Sequence, residues 1–258
     1  MPPLSLWLWL VGSLIGLLIL ERWIQRYLQG IGLLLVGDVE LALIIYSLVM
    51  LPGVALHEIS HWLAATLLGV RAGRFSLLPQ MTADGKLQLG YVETEVVDVF
   101  REAAIGVAPL VVGATAVVGI SYYFLNLGPL TEALAQGELA AAVGAVYQLR
   151  HSRDLWLWLY FIFAISNSML PSASDRRAWL PVLALVGLAL GLLFYLGWES
   201  VIIAYLARPL EVGIRTLAMA FSITVGLDLV LLPPLWLTEM GISFLTGRRL
   251  DSVGPGGH

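Results

Sequence analysis

The chain has 258 residues, 59% of them hydrophobic and only 12% charged, with a mean hydropathy of +0.87, an apolar share well above that of a soluble globular domain. Its formal charge of -4 is spread between apolar runs with no basic patch, which argues against nucleic acid as a partner and makes the lipid bilayer the expected one. With no cysteine there is neither a disulfide framework nor a thiolate ligand, so any metal must be held by histidine nitrogen and carboxylate oxygen.

A membrane-spanning helix needs roughly 20 mostly apolar residues, because a helix rises about 1.5 Å per residue and the hydrocarbon core is about 30 Å thick. On that ruler six candidates follow in chain order: 4–22, 40–68, 102–126, 154–172, 178–198 and 212–232, with the stretch on to Phe244 lying in the interface. The expected fold is an all-α polytopic membrane protein of about six transmembrane helices. The first run, Leu4 to Leu20, has no basic residue before it and no small-residue cleavage site after it, so it reads as a retained span rather than a signal peptide. Arginines flank the spans on both sides in similar numbers, and positive-inside counting therefore does not orient the chain. The glycine-rich tail from Gly247 is expected to be disordered.

The second candidate contains Leu56-His57-Glu58-Ile59-Ser60-His61-Trp62, which holds two of the chain's four histidines. Residues four apart share a helix face, so the two imidazoles converge on one ion while Glu58 reaches a water on that ion. This is the pattern of a zinc hydrolase: His57 and His61 as ligands, one further protein ligand from elsewhere, and Glu58 as general base. The plainer reading, in which these side chains only pair with neighbouring helices, has to explain three ionisable groups on one short stretch in lipid, each costing about 2.5 kcal/mol or more. Counted from Glu40, His57 lies about 26 Å along the helix, toward its far end. Pro52, about one turn earlier, leaves the Leu48 carbonyl without its usual donor and serves either to widen a wet pocket by a kink or to pack.

Between the second and third candidates, Val70 to Asp98 breaks the helical pattern with Gly73, Pro79 and Asp84-Gly85. Leu87, Leu89 and Tyr91 alternate with Lys86, Gln88 and Gly90, which predicts a strand, and Arg74 to Leu78 supplies the opposing one; an ordinary loop is the alternative. The fourth candidate finishes Ile165-Ser166-Asn167-Ser168-Met169-Leu170-Pro171-Ser172-Ala173-Ser174-Asp175, an unusually polar end for so apolar a helix.

A His57–His61 helix, a hairpin, an apolar span, and then Asn167, Pro171 and Asp175 in that order resemble the site-2 protease family of intramembrane zinc metalloproteases. The resemblance covers roughly Glu40 to Ala178. It implies that Asp175 is the third zinc ligand, that Asn167 lines the active site and holds the substrate carbonyl or its oxyanion, and that the hairpin, about residues 74–93, presents a strand edge to an extended transmembrane protein substrate. It further implies regulated cleavage of peptide bonds in or near membrane spans. On this reading residues 1–39 form an N-terminal helix and connection, 40–178 the metalloprotease core and 179–258 further helices and a tail, in the plasma membrane of a prokaryote. The chain departs from the family pattern in carrying Arg176 where glycine usually follows the aspartate, and in matching the glycine-proline element of the middle core helix only loosely, with Gly106-Val107-Ala108-Pro109.

Plainer roles stay open for several of these residues. Asp175 could instead cap the next helix or pair with Arg176 and Arg177, and Asn167 could make an interhelical hydrogen bond. Asp228, within an apolar stretch, is a candidate for gating, for a substitute ligand or for helix–helix hydrogen bonding. His151 and His258 read as solvated. An inactive zinc-binding membrane scaffold and a metal-ion transporter are the rival functions.

Overall fold

The computed structural model describes residues 2–77, 80–81, 87–88 and 90–248. Among them the helices are α1 (Leu4–Val36), α2 (Val39–Leu67), α3 (Val99–Tyr123), α4 (Gly128–Gln136), α5 (Leu139–Leu149), α6 (Leu155–Ser166), α7 (Trp179–Tyr195) and α8 (Glu199–Thr246), and the strands are β1 (Ala72–Ser76), β2 (Gln80–Met81), β3 (Leu87–Gln88) and β4 (Tyr91–Thr94). Helices α1, α2, α3 and α8 are long and apolar enough to cross a membrane, the mark of an integral membrane protein.

The helix ends differ from those predicted, for local reasons. Helix α1 extends to 33 residues because the polar residues that interrupt its apolar run, Glu21, Arg22, Gln25, Arg26 and Gln29, are good helix formers. It stops only at Gly37, whose φ of 72° is the left-handed conformation glycine adopts freely, and whose N–H donates to the Leu33 carbonyl at 2.8 Å. Asp38 then caps α2, its carboxylate accepting the Leu41 N–H at 2.8 Å. The sixth candidate is embedded in α8, a 48-residue helix that contains Pro209, Pro233 and Pro234 without ending at any of them. The fourth and fifth candidates are shorter than expected: α6 has 12 residues, about 18 Å of rise, and α7 has 17. Helices α4 and α5 occupy a connection that composition alone did not mark.

Short as it is, α6 lies at the centre. It packs against α2, α3 and α8, burying Ile162 to Ser166 in a core shared with Leu17 of α1, Val117 of α3 and Phe221 of α8. A second cluster joins Ile24, Tyr46, Met50, Val54 and Phe163. Pro52 stays inside α2, and beside it the Ala164 carbonyl of α6 occupies the space a Gly53 Cβ would need. Gly53 therefore works in packing, bringing two backbones together where only glycine fits.

The hairpin is present. Strands β1 and β4 are antiparallel, with Ser76 opposite Tyr91 and Phe75 opposite Val92, and a bulge lies between Ala72 and Phe75. Strands β2 and β3 pair within it, Gln80 opposite Gln88. The opposing strand thus begins at Ala72 rather than Arg74. Leu78, Pro79, the Asp84-Gly85 pair, Lys86 and Leu89 lie outside the described residues, as do residues 249–258. Of the tail expected to be disordered, Gly247 caps α8 and the Arg248 guanidinium donates to the Leu34 carbonyl at 3.2 Å.

Candidate metal centre

Helix α2 places His57 and His61 one turn apart, with their Nε2 atoms 3.1 Å from each other. Each ring is fixed from behind by a backbone carbonyl: His57 Nδ1 donates to Ser168 O at 2.7 Å, and His61 Nδ1 donates to Ile105 O at 3.0 Å. A carbonyl only accepts, so each neutral ring carries its proton on Nδ1 and turns a lone pair on Nε2 toward the other ring. Two lone pairs facing one another repel; a cation between them removes that repulsion, and a backbone carbonyl behind the ring is a usual means of orienting a histidine ligand.

Asp175 completes the cluster from the turn between α6 and α7. Its Oδ1 lies 3.3 Å from His61 Nε2 and its Oδ2 3.6 Å from His57 Nε2. Ser172 holds the carboxylate in place, its backbone N–H donating to Oδ2 at 2.7 Å and its hydroxyl at 2.6 Å. Both Ser172 bonds come from donors and so favour the ionised carboxylate. The residue capping α7 is Ala178, and among the described residues the Asp175 carboxylate faces His57 and His61 with no arginine nitrogen within 4.0 Å; Arg176 Nε donates instead to the Ser172 carbonyl at 3.2 Å.

These donors fit a metal ion. Ligand atoms of His57, His61 and Asp175 all lie within 4.8 Å of one another, and a tetrahedral zinc site with bonds of about 2.0–2.1 Å has edges of about 3.3 Å. Two nitrogens and a carboxylate suit zinc and leave a position open for water. Glu58 is buried and close enough to interact electrostatically with both rings and Asp175. It lines the same cavity of about 1000 Å³, which extends from the rings to Asn167 and along Tyr91, Val92 and Thr94 of β4. Gly90 leaves space for it: a Cβ there would come within 2.9 Å of Glu58 Cγ and 3.0 Å of the Ser76 carbonyl.

Gly106 has a role the sequence only hinted at. The Asp175 backbone carbonyl occupies the space of its missing Cβ, so α3 abuts the ligand turn directly. Gly106→Val should push Asp175 away from the rings and weaken metal binding by this group at least about tenfold, the scale of a disturbed ligand set, as read by competition with a fluorescent chelator. Affinity equal to wild type would show that the turn adapts.

Asn167 lines the cavity, but its amide is engaged elsewhere: Nδ2 donates to Phe163 O at 3.0 Å and to Asp228 Oδ1 at 3.3 Å. Asp228 meets α6 in this way and stands apart from the ligand cluster. His151 is exposed, its ring 5.4 Å from that of Tyr147. Sequence reasoning passed over Ser172, although a serine three residues before an acid is a recognisable side-chain turn. It also passed over Glu21, which lies close enough to Asp228 for their charges to interact. No family model, curated protein or solved structure matches this chain.

Proposed function

We propose that the chain is an intramembrane zinc metalloprotease of the site-2 protease type, cleaving peptide bonds in or near the spans of membrane-protein substrates. The observation that carries the reading is the convergence of His57, His61 and Asp175 beside Glu58 at a cavity walled by a strand. Zinc held by the three ligands would supply Lewis-acid chemistry and bring a water's pKa down to about 7. Glu58 takes the proton of the attacking water and passes it to the departing amine nitrogen. Strand β4 has β1 on one side only among the described residues, so its other edge can bond an extended substrate main chain and hold it against the cavity. Asn167 borders that space. The six-crossing topology counts α7 as the fifth span and α6, together with the turn after it, as a partial one.

One observation favours a second reading, a metal-ion transporter: Glu21, Tyr46 and Asp228 continue polar groups beyond the ligand cluster within apolar helices. The experiment that separates these functions uses the purified protein in sealed vesicles with a panel of single-span peptides. The protease reading expects peptide fragments by mass spectrometry, their loss after chelation and their return when zinc is restored. Intact peptides beside zinc flux would favour transport, and intact peptides with zinc bound and no flux an inactive scaffold.

A further inference from the structure

We propose that Asp228 is a positioning residue, which sets the His57 ring through the Asn167 turn; the inference rests on the metal-site reading above. Asp228 is completely buried in α8, and its Oδ1 accepts from Asn167 Nδ2 across 61 residues of chain. Asn167 is the C-cap of α6, and its backbone N–H and its side-chain amide both donate to Phe163 O, at 3.1 and 3.0 Å. The next carbonyl along, that of Ser168, is the one that receives His57 Nδ1. A single turn of backbone therefore joins a carboxylate on α8 to the orientation of a metal ligand on α2.

Packing alone does not account for an acid here. Serine, threonine or asparagine would supply the same interhelical hydrogen bond at lower desolvation cost. The other carboxylate oxygen, Asp228 Oδ2, has no partner among the described residues, nor has Asn167 Oδ1, so Asp228 leaves part of its own polar demand unmet where an uncharged residue would leave less. What the carboxylate does supply is an acceptor with no proton to donate when ionised, which keeps the Asn167 amide directed with its nitrogen toward α8. With Nδ2 shared between Phe163 O and Asp228, the turn 166–168 is held at both its α6 and its α8 sides.

The test is a double-mutant cycle in the full-length protein, with zinc affinity and the visible spectrum of the cobalt(II)-substituted protein as readouts. Asp228→Ala is expected to weaken zinc binding about 10- to 100-fold, the effect of losing an outer-shell partner, and to shift the cobalt bands. Asp228→Asn keeps an acceptor oxygen but brings an N–H2 that can turn the Asn167 amide round, so its affinity should fall between wild type and Asp228→Ala. Because Asp228 acts through Asn167, the Asn167→Ala, Asp228→Ala double variant should lose no more than the worse single variant. Wild-type affinity and unchanged bands in Asp228→Ala, or losses that add in the double variant, overturn the proposal. Asp228→Leu carries the same comparison should the alanine variant fail to fold. A wild type that binds neither metal contradicts the metal-site reading and this inference with it, whereas metal bound normally by wild type and Asp228→Ala, but not by His57→Ala, sinks this inference alone.

Discussion

Glu58→Gln is expected to keep its zinc and lose cleavage by about a hundred- to ten-thousand-fold, the span general acid–base catalysis contributes. The substitution preserves volume, so the side chain still fits in the space left by Gly90 and leaves the three ligands of α2 and the 172–175 turn in place. An amide, however, cannot take a proton from water at neutral pH or return one to an amine. Cleavage rates of wild type and variant at matched zinc content decide the matter. A variant with near-wild-type turnover would remove Glu58 from the chemistry and place the base elsewhere in the cavity.

The second large effect is loss of the metal itself. His57→Ala and His61→Ala each remove one of three protein donors and orphan an acceptor, part-buried Ser168 O or buried Ile105 O, at a further cost of up to about 1–3 kcal/mol. Structural zinc sites bind with about 10–16 kcal/mol, so forfeiting even a fifth of that is roughly 2–3 kcal/mol, or about a 30- to 150-fold loss of affinity. Both variants should therefore release zinc during purification and show no zinc-dependent rise in melting temperature, since a ligand stabilises only the fold that binds it. A rise as large as that of wild type would show that the removed ring is no ligand.

The parts of this protein legible in its sequence are those that local geometry determines. His57 and His61 converge because four residues make about one helical turn, a relation that holds wherever the helix sits. The apolar runs mark α2 and α3 to within a few residues for the same reason. Helix ends were harder to read: hydropathy falls at Glu21 in α1 while helix propensity does not, and the backbone follows propensity until Gly37. Conversely, apolar composition carried the fourth candidate through to Ser172, whereas the chain leaves the helix after Ser166 to form the turn that bears Asp175. The meeting of Asp175 with the rings spans more than a hundred residues, and the sequence offered it only through a resemblance. The Ser168 and Ile105 carbonyls were invisible because every residue has one, and only the packing of α6 and α3 against α2 selects these two. Asp228 was conspicuous as an acid among apolar residues, but its partner depended on the relative placement of α6 and α8.

In the proposed site two rings on α2 share an ion with a carboxylate from the turn after α6. Zinc counted per chain in desalted wild type and Asp175→Ala, loaded at the same zinc concentration, tests it most directly. About one zinc retained by the wild type and little or none by the variant is the predicted result. A wild type that retains none, or an Asp175→Ala protein that holds zinc as firmly as wild type, would contradict it.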